Sequence, residues 1–301
     1  VTPPREKTPG KPHDVLVLGG SGVDATVYVP ELPLPYADTY GVPPIQERIG
    51  NTGAGVALGC AALGLSVAFA DLVGDDSQGA LIRDALAGVD AFWGRAAAGT
   101  RRSVLLVGPD GRRTSLHDPR DTPGERLPRE LYAGVRARHA HVSITGYCRD
   151  VYDDLDGMPV STDLHDWDGV NDHHREFAHR SDLVFMSAAA LDSPERVMRD
   201  ILRLGRAELV VCTRGADGCL VLPRGGDLRA FPATPLPGPV ADSNGAGDAF
   251  VSGFLYGRLG GAALEECVRL GSLAGAHACT VPGTHEAPIT EAALLRAASA
   301  A

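Results

Sequence analysis

The chain has 301 residues, 44% of them hydrophobic and 22% charged, enough for one large α/β domain or two small ones around a sizeable core. A formal net charge of −10 argues against a surface built for nucleic acid or for acidic membranes. No apolar run reaches membrane length and no signal-like segment is visible, so a soluble, cytoplasmic protein is expected.

Residues 1–12, rich in Pro, Lys and Thr, read as a disordered tail. From Asp14 an unbroken apolar run to Leu18 predicts a buried strand, and Gly19-Gly20-Ser21-Gly22 a turn at its carboxyl end, where a parallel sheet binds ligands. The glycines suggest a dinucleotide fingerprint, but no helical pattern follows; Asp24 to Pro30 reads as another extended segment. Prolines 30, 33, 35, 43 and 44 exclude a long helix before Arg48. Gly50-Asn51-Thr52-Gly53-Ala54-Gly55 then opens an Ala-rich helix that Gly64 stops, followed by a strand, a turn at Gly74-Asp75-Asp76 and a further helix start.

Two alternating strands about Pro109-Asp110-Gly111 predict a hairpin over residues 100–117. Its arginines 101, 102, 112 and 113 fit either a solvated strand face or a phosphate contact. Strand ends follow at Gly146 and Asp163, the second placing Asp163, His165, Asp166 and Trp167 where a ligand would lie. Three readings stay open there: a sugar-binding rim with Trp167 stacking, a polar loop with Trp167 half buried, or, with Asp172, His173 and His174, a metal site of no standard spacing. Strands ending at Ser187 and Thr213 come next, and Thr213-Arg214-Gly215-Ala216-Asp217-Gly218 makes a tight turn into a further strand.

Asp242-Ser243-Asn244-Gly245-Ala246-Gly247-Asp248 is a glycine-punctuated turn running into an apolar, helix-compatible stretch. The amides of Gly245 to Asp248 therefore fall at a helix start, which is an anion site. Asp248 reads either as an N-cap or as a base beside a phosphate, the positive helix end holding it ionised. Repeated strand–helix alternation predicts a parallel, three-layer α/β sandwich. The six cysteines lack C-x-x-C spacing and read as small buried hydrophobes.

Asp24, the Gly50 to Gly64 element, Thr213 to Gly218 and Asp242 to Asp248 occur in the order and spacing of the PfkB, or ribokinase-like, carbohydrate kinases. The chain resembles that family over residues 14–290. The resemblance implies a single ribokinase-like domain over 13–301 with a small β-strand lid at about 25–49 and 100–118, which in many relatives also makes a homodimer. It implies phosphoryl transfer from ATP, with Mg²⁺, to a hydroxyl of a sugar or sugar-like acceptor: Asp248 as base, with Gly245, Ala246 and Gly247 as the anion hole. By the same resemblance, Asp24, Gly22, Asn51, Gly53 and Gly55 border the acceptor, joined by Asp163, His165 and Trp167 from their place past a strand end. Thr213, Gly215, Gly218, Ser187, His277 and Gly283 line the nucleotide, though His277 fits a helix face or the core more readily. Asp242 and Asn244 lie near a monovalent-cation site such as K⁺.

Departures from the pattern carry information. Gly22 and Gly55 stand where the family has sugar-binding Asn residues, which predicts an opened acceptor site unless Asn51 or a lid residue covers the same hydroxyls. Ser187 and Ala190 stand where many relatives have N-x-x-E, leaving magnesium to the nucleotide phosphates and water. Within the family, residues 15–24, 29–35, 161–169 and 242–255 are most similar to the acarbose 7-kinase type, which points to a pseudo-oligosaccharide such as acarbose. A pentose, hexose or nucleoside kinase and a non-catalytic sugar- or nucleotide-binding regulator are the alternatives.

Overall fold

The computed structural model describes residues 12–300; the tail expected over 1–12 lies outside them except for Pro12. In chain order the strands are β1 (His13–Leu18), β2 (Gly22–Tyr28), β3 (Gln46–Gly50), β4 (Val67–Val73), β5 (Asp90–Arg95), β6 (Arg102–Val107), β7 (Arg113–Asp118), β8 (Ala137–Val142), β9 (Val160–Asp163), β10 (Leu183–Ser187), β11 (Leu209–Thr213), β12 (Cys219–Pro223) and β13 (Arg229–Phe231). The helices are α1 (Thr52–Ala62), α2 (Ser77–Ala85), α3 (Asp172–Arg180), α4 (Pro194–Leu204), α5 (Ala246–Leu259), α6 (Leu264–Ala278) and α7 (Glu291–Ala300).

Nine strands form one sheet in the order β13-β12-β11-β10-β9-β8-β1-β4-β5. It is parallel from β5 to β11, and β12 and β13 add antiparallel at one edge. β1 shows why helices cover both faces. Val15 and Val17 join Val56, Phe250, Phe254 and Cys267 of α1, α5 and α6 in one core. Leu16 and Leu18 join Phe177, Met198 and Ile201 of α3 and α4 in another. A strand buried on both faces is a continuous apolar run, as Val15 to Leu18 is. The outcome is a three-layer α/β/α sandwich.

The chain leaves β1 towards β4 and β5 on one side and returns through β8 on the other, so the strand order reverses at the carboxyl end of β1, where open α/β sheets bind ligands. There the turn after β1 is tied down by a buried carboxylate. Asp71 of β4 accepts from the Ser21 backbone N–H at 2.7 Å, from the Ser21 and Tyr147 hydroxyls, and from Leu72 N–H at 2.7 Å. The turn hands the chain to a second sheet, in the order β3-β2-β6-β7, whose β3 runs straight into α1. This small sheet therefore stands over the carboxyl ends of β1 and β8. Arg101, at its base, is not on a solvated face: it is 3% exposed, 4.2 Å over the Tyr147 ring, and donates to Leu72 O at 3.2 Å.

Candidate active site

Gly245, in the left-handed region at φ 77°, caps α5, and the first α-helical bond is Ala249 N–H to Gly245 C=O at 2.9 Å. The amides of Gly247 and Asp248 ahead of it therefore have no intrahelical carbonyl. Gly247 is exposed, so this end of the helix dipole faces outward, as an anion site requires. A side chain at 245 is barred twice, by φ and by the Thr284 carbonyl 2.3 Å from where its Cβ would stand. Asp248 lies in the first turn and makes no capping bond. The N-cap reading of this residue is thereby excluded.

Its carboxyl is 8% exposed. Burial pushes its pKa well above the ordinary carboxylate value, and the Asp163 and Asp24 carboxylates push it the same way. Desolvation and these two like charges therefore oppose the helix end, which on sequence alone was expected to hold Asp248 ionised. Asp24 is also 8% exposed and raised by burial, against the lowering pull of its Ser103 hydrogen bond and of His117 and Arg113. Three carboxyl groups from β2, β9 and the start of α5 thus converge.

A residue that sequence reasoning missed completes this cluster. His285, on the loop between α6 and α7, lies with Nε2 3.6 Å from Asp248 Oδ2. Burial holds its pKa down to about 4. A Cβ at Gly55 would stand 2.4 Å from His285 Cε1 and 2.8 Å from Asp248 Oδ2. At Gly22 the added atom would be 2.3 Å from Asn51 Nδ2. The opened acceptor site is thus corrected: the two volumes left by the missing amides are filled by Asn51, itself at φ 69°, and by His285. No local sequence signal marks His285, whose position depends on residues more than two hundred positions away.

The other acceptor-side residues separate into two groups. Asp163 faces the site, its Oδ2 3.9 Å from where a Gly247 Cβ would stand, while its Oδ1 accepts from His165 N–H at 2.9 Å. His165 is exposed at φ 54°. Gly53, by contrast, is a packing glycine whose Cβ would meet the Gly19 carbonyl oxygen at 1.9 Å. Trp167 is 4% exposed within the core, its indole N–H donating to Asn171 O at 2.9 Å, so the sugar-stacking reading is overturned. The metal reading also fails to assemble. His173 hydrogen-bonds Ile144 O, His174 stacks on Trp167, and no His/Cys/Asp/Glu group able to hold a metal exists among the described residues.

Ser187 and Thr213, expected at the nucleotide, are register partners at the ends of β10 and β11. Thr213 Oγ1 donates to Met186 O at 3.3 Å and the Ser187 hydroxyl accepts from Ala189 N–H at 3.2 Å. Gly215 (φ 56°) and Gly218 (φ 79°) shape the next turn, and Gly218 has a packing reason as well, since its Cβ would be 2.0 Å from Phe231 O. His277, in the last turn of α6, is 3.3 Å from Ala287 O through Nε2. Gly283, expected beneath the nucleotide, is at φ 95° against Arg48 and Glu286, which pair at 3.5 Å. Asp242 accepts from Asn244 N–H at 2.9 Å, and Asn244 Oδ1 accepts from Arg113 of β7 at 2.6 Å. The small sheet is therefore fastened to the turn that opens α5. Of the hairpin arginines, only this one is bonded to that turn in the hydrogen bonds described.

Comparison with known proteins agrees with this geometry. The description "pfkB family carbohydrate kinase" matches residues 175–291. The chain is 50% identical to the acarbose 7(IV)-phosphotransferase of Actinoplanes sp. strain SE50/110, over 95% of this chain and 98% of that one. The solved structure of a microbiome-derived acarbose kinase, Mak1, superposes with a TM-score of 0.88 at 43% identity, covering 95% and 99% of the two chains. Arabidopsis thaliana ribokinase, solved with ribose and ATP, shares the fold at a TM-score of 0.80 and 20% identity over 95% and 98%. Full-length identity at this level, with a buried carboxyl beside an amide-lined helix start, makes the chain a phosphotransferase that uses ATP and a hydroxyl acceptor. It belongs to the pfkB family of carbohydrate kinases.

Proposed function

We propose that the chain phosphorylates acarbose or a kindred pseudo-oligosaccharide, with Asp248 as the base. The observation that carries the chemistry is the convergence of Asp248, Asp24 and Asp163 beside the free amides that open α5. A carboxyl whose proton affinity is raised suits general-base work, because it pulls more strongly on the acceptor's proton. Asp248 takes the acceptor's proton, the acceptor oxygen attacks the γ-phosphorus, and ADP leaves. The Gly245, Ala246 and Gly247 backbone receives charge on the transferring group. Asp24 and Asp163, with His165 and Asn51 at the rim, hold acceptor hydroxyls. The acceptor's identity is supported by the names of the two relatives matched over nearly the whole chain.

Thr213, Gly215, Gly218, Ser187 and His277 are proposed to border ATP. Positions 187 and 190 offer Ser and Ala and no carboxylate, so Mg²⁺, when bound, would be held chiefly through the nucleotide and water and would supply charge neutralisation. A K⁺ dependence through Asp242 and Asn244, pairing of two copies along the exposed edge strand β7, and work in a reducing cytosol, where six unbridged cysteines suit, complete the proposal. ADP release, coupled to a spectroscopic readout, is measured with acarbose, maltose, ribose, fructose and adenosine, in K⁺ and in tetramethylammonium salts. Asp248→Asn serves as the inactive control. Acarbose is expected to be turned over with the highest kcat/KM. A clear preference for ribose or adenosine refutes the acceptor, and an Asp248→Asn variant as active as the parent refutes the base.

A further inference from the structure

His285 is 9% exposed, and its Nε2, the ring nitrogen directed at Asp248, has no hydrogen-bond partner. The separation from Oδ2, 3.6 Å, is just beyond hydrogen-bond reach. Carbonyls of Asn51 and Thr284 lie against the ring and favour a proton on it. Carbonyls only accept, so the nitrogen that serves them carries the hydrogen and the other keeps its lone pair. A cavity of about 20 Å³ borders the ring, and apart from His285 its lining, which includes Gly55, Gly59, Gly245, Ala249, Val281 and Ile289, has no ionisable side chain. Gly55 is what admits the imidazole, because a Cβ there would stand 2.4 Å from Cε1.

We propose that His285 is a positioning residue for the phosphoryl transfer: its Nε2 lone pair accepts a hydrogen bond from the carboxyl of Asp248 once that carboxyl has taken the acceptor's proton. With Asp248 ionised, two lone pairs face each other and the groups stand apart. As the proton moves from the acceptor oxygen to Asp248, the acceptor oxygen bonds the γ-phosphorus, and the bond from that phosphorus to the β–γ bridging oxygen breaks with its electron pair leaving on ADP. The newly protonated Oδ2 then donates to Nε2. The contact exists only on the product side of the proton transfer, so it favours the transition state over the ground state. Other charges around the pair are Asp24 and Asp163 facing Asp248, His141 facing Asp163, and Arg48 with Glu286 on the loop beside His285.

This inference rests on Asp248 being the base, and the experiment separates the two. The pH profile of kcat is measured for the parent, His285→Ala and His285→Gln, with Asp248→Asn alongside. Loss of the acceptor nitrogen is expected to move the acidic limb to lower pH by roughly one unit and to lower kcat by roughly tenfold, the worth of one hydrogen bond, with KM for ATP unchanged. A folded His285→Ala variant with the parent's limb and kcat overturns the inference while leaving Asp248, inactive as Asn, in place. ¹⁵N NMR of the parent's histidines guards against a variant that fails to fold. His285 is expected to be neutral with its hydrogen on Nδ1 at pH 7, and a hydrogen on Nε2 overturns the inference.

Discussion

Gly55→Ala isolates the geometry around Asp248 without altering any ionisable group. The added Cβ would stand 2.8 Å from Asp248 Oδ2 and 2.4 Å from His285 Cε1, where ordinary contact begins near 3.4 Å. Relief requires the carboxyl to retreat by about 0.6 Å and the ring by about 1.0 Å, and a misplacement of about 1 Å at a catalytic group costs about 10²-fold in rate. Stability responds far less. Alanine gains about 0.8–1.0 kcal/mol in helix propensity over glycine, while overpacking costs about 1–3 kcal/mol. The net loss is about 0–2 kcal/mol, or a few degrees in Tm for a domain of this size. Coupled ADP release with saturating ATP and acarbose should show kcat down by roughly 10- to 100-fold, with scanning calorimetry showing a Tm shift of a few degrees. A variant within threefold of the parent's kcat would refute the reasoning, for it would mean that the reacting carboxyl is not the one this helix start confines.

Asp248→Asn should stabilise the fold at alkaline pH. A carboxyl whose folded pKa is raised binds more protons folded than unfolded, so its burial costs stability above the folded pKa and the cost vanishes as pH falls towards the unfolded value near 3.8; the variant's Tm advantage at pH 8 should therefore shrink on acidification. His139 and His141, whose pKa values burial lowers to about 3 and about 4, act in the opposite direction. The unfolded chain takes up their protons first, so stability falls as pH drops below about 6.5, by roughly 2 kcal/mol per histidine at pH 5. Thermal melts at pH 7 and 5 of the parent and of His139→Gln should show a smaller acid penalty in the variant, and an equal one would count against a neutral, buried imidazole at 139.

What could be read from the sequence divides by range of interaction. The start of α5 was legible because its causes are local: a glycine in a left-handed turn, free amides and an apolar run behind them. The buried strand β1 was legible for a similar reason, since a run without alternation has two covered faces. The raised proton affinity of Asp248 was not, because it depends on burial and on how near Asp163 and Asp24 stand after folding. Trp167 misled because an aromatic among polar residues looks like a rim, whereas its ring enters the core and its N–H is satisfied by Asn171 four residues on. Arg101 misled in the same way, an arginine next to a strand whose planar group stacks on Tyr147 under the sheet.

The two amide positions that depart from the family pattern show why a missing side chain does not imply a vacancy. Interiors are packed near crystal density, so a residue deleted from one backbone position must be answered by atoms from another or by collapse. At Gly22 the answer comes from Asn51, on the neighbouring strand end, and at Gly55 from His285, on a loop at the far end of the chain. The first replacement restores an amide close to where an amide was lost. The second does not: it puts a buried imidazole whose Nε2 has no hydrogen-bond partner beside the Asp248 carboxyl. On the proposed reading, a side chain that would read hydroxyls at 55 gives way to one that addresses the base. On that reading, recognition of a long acceptor falls more heavily on Asp24, Asp163 and the small sheet that Arg113 fastens to the turn before α5.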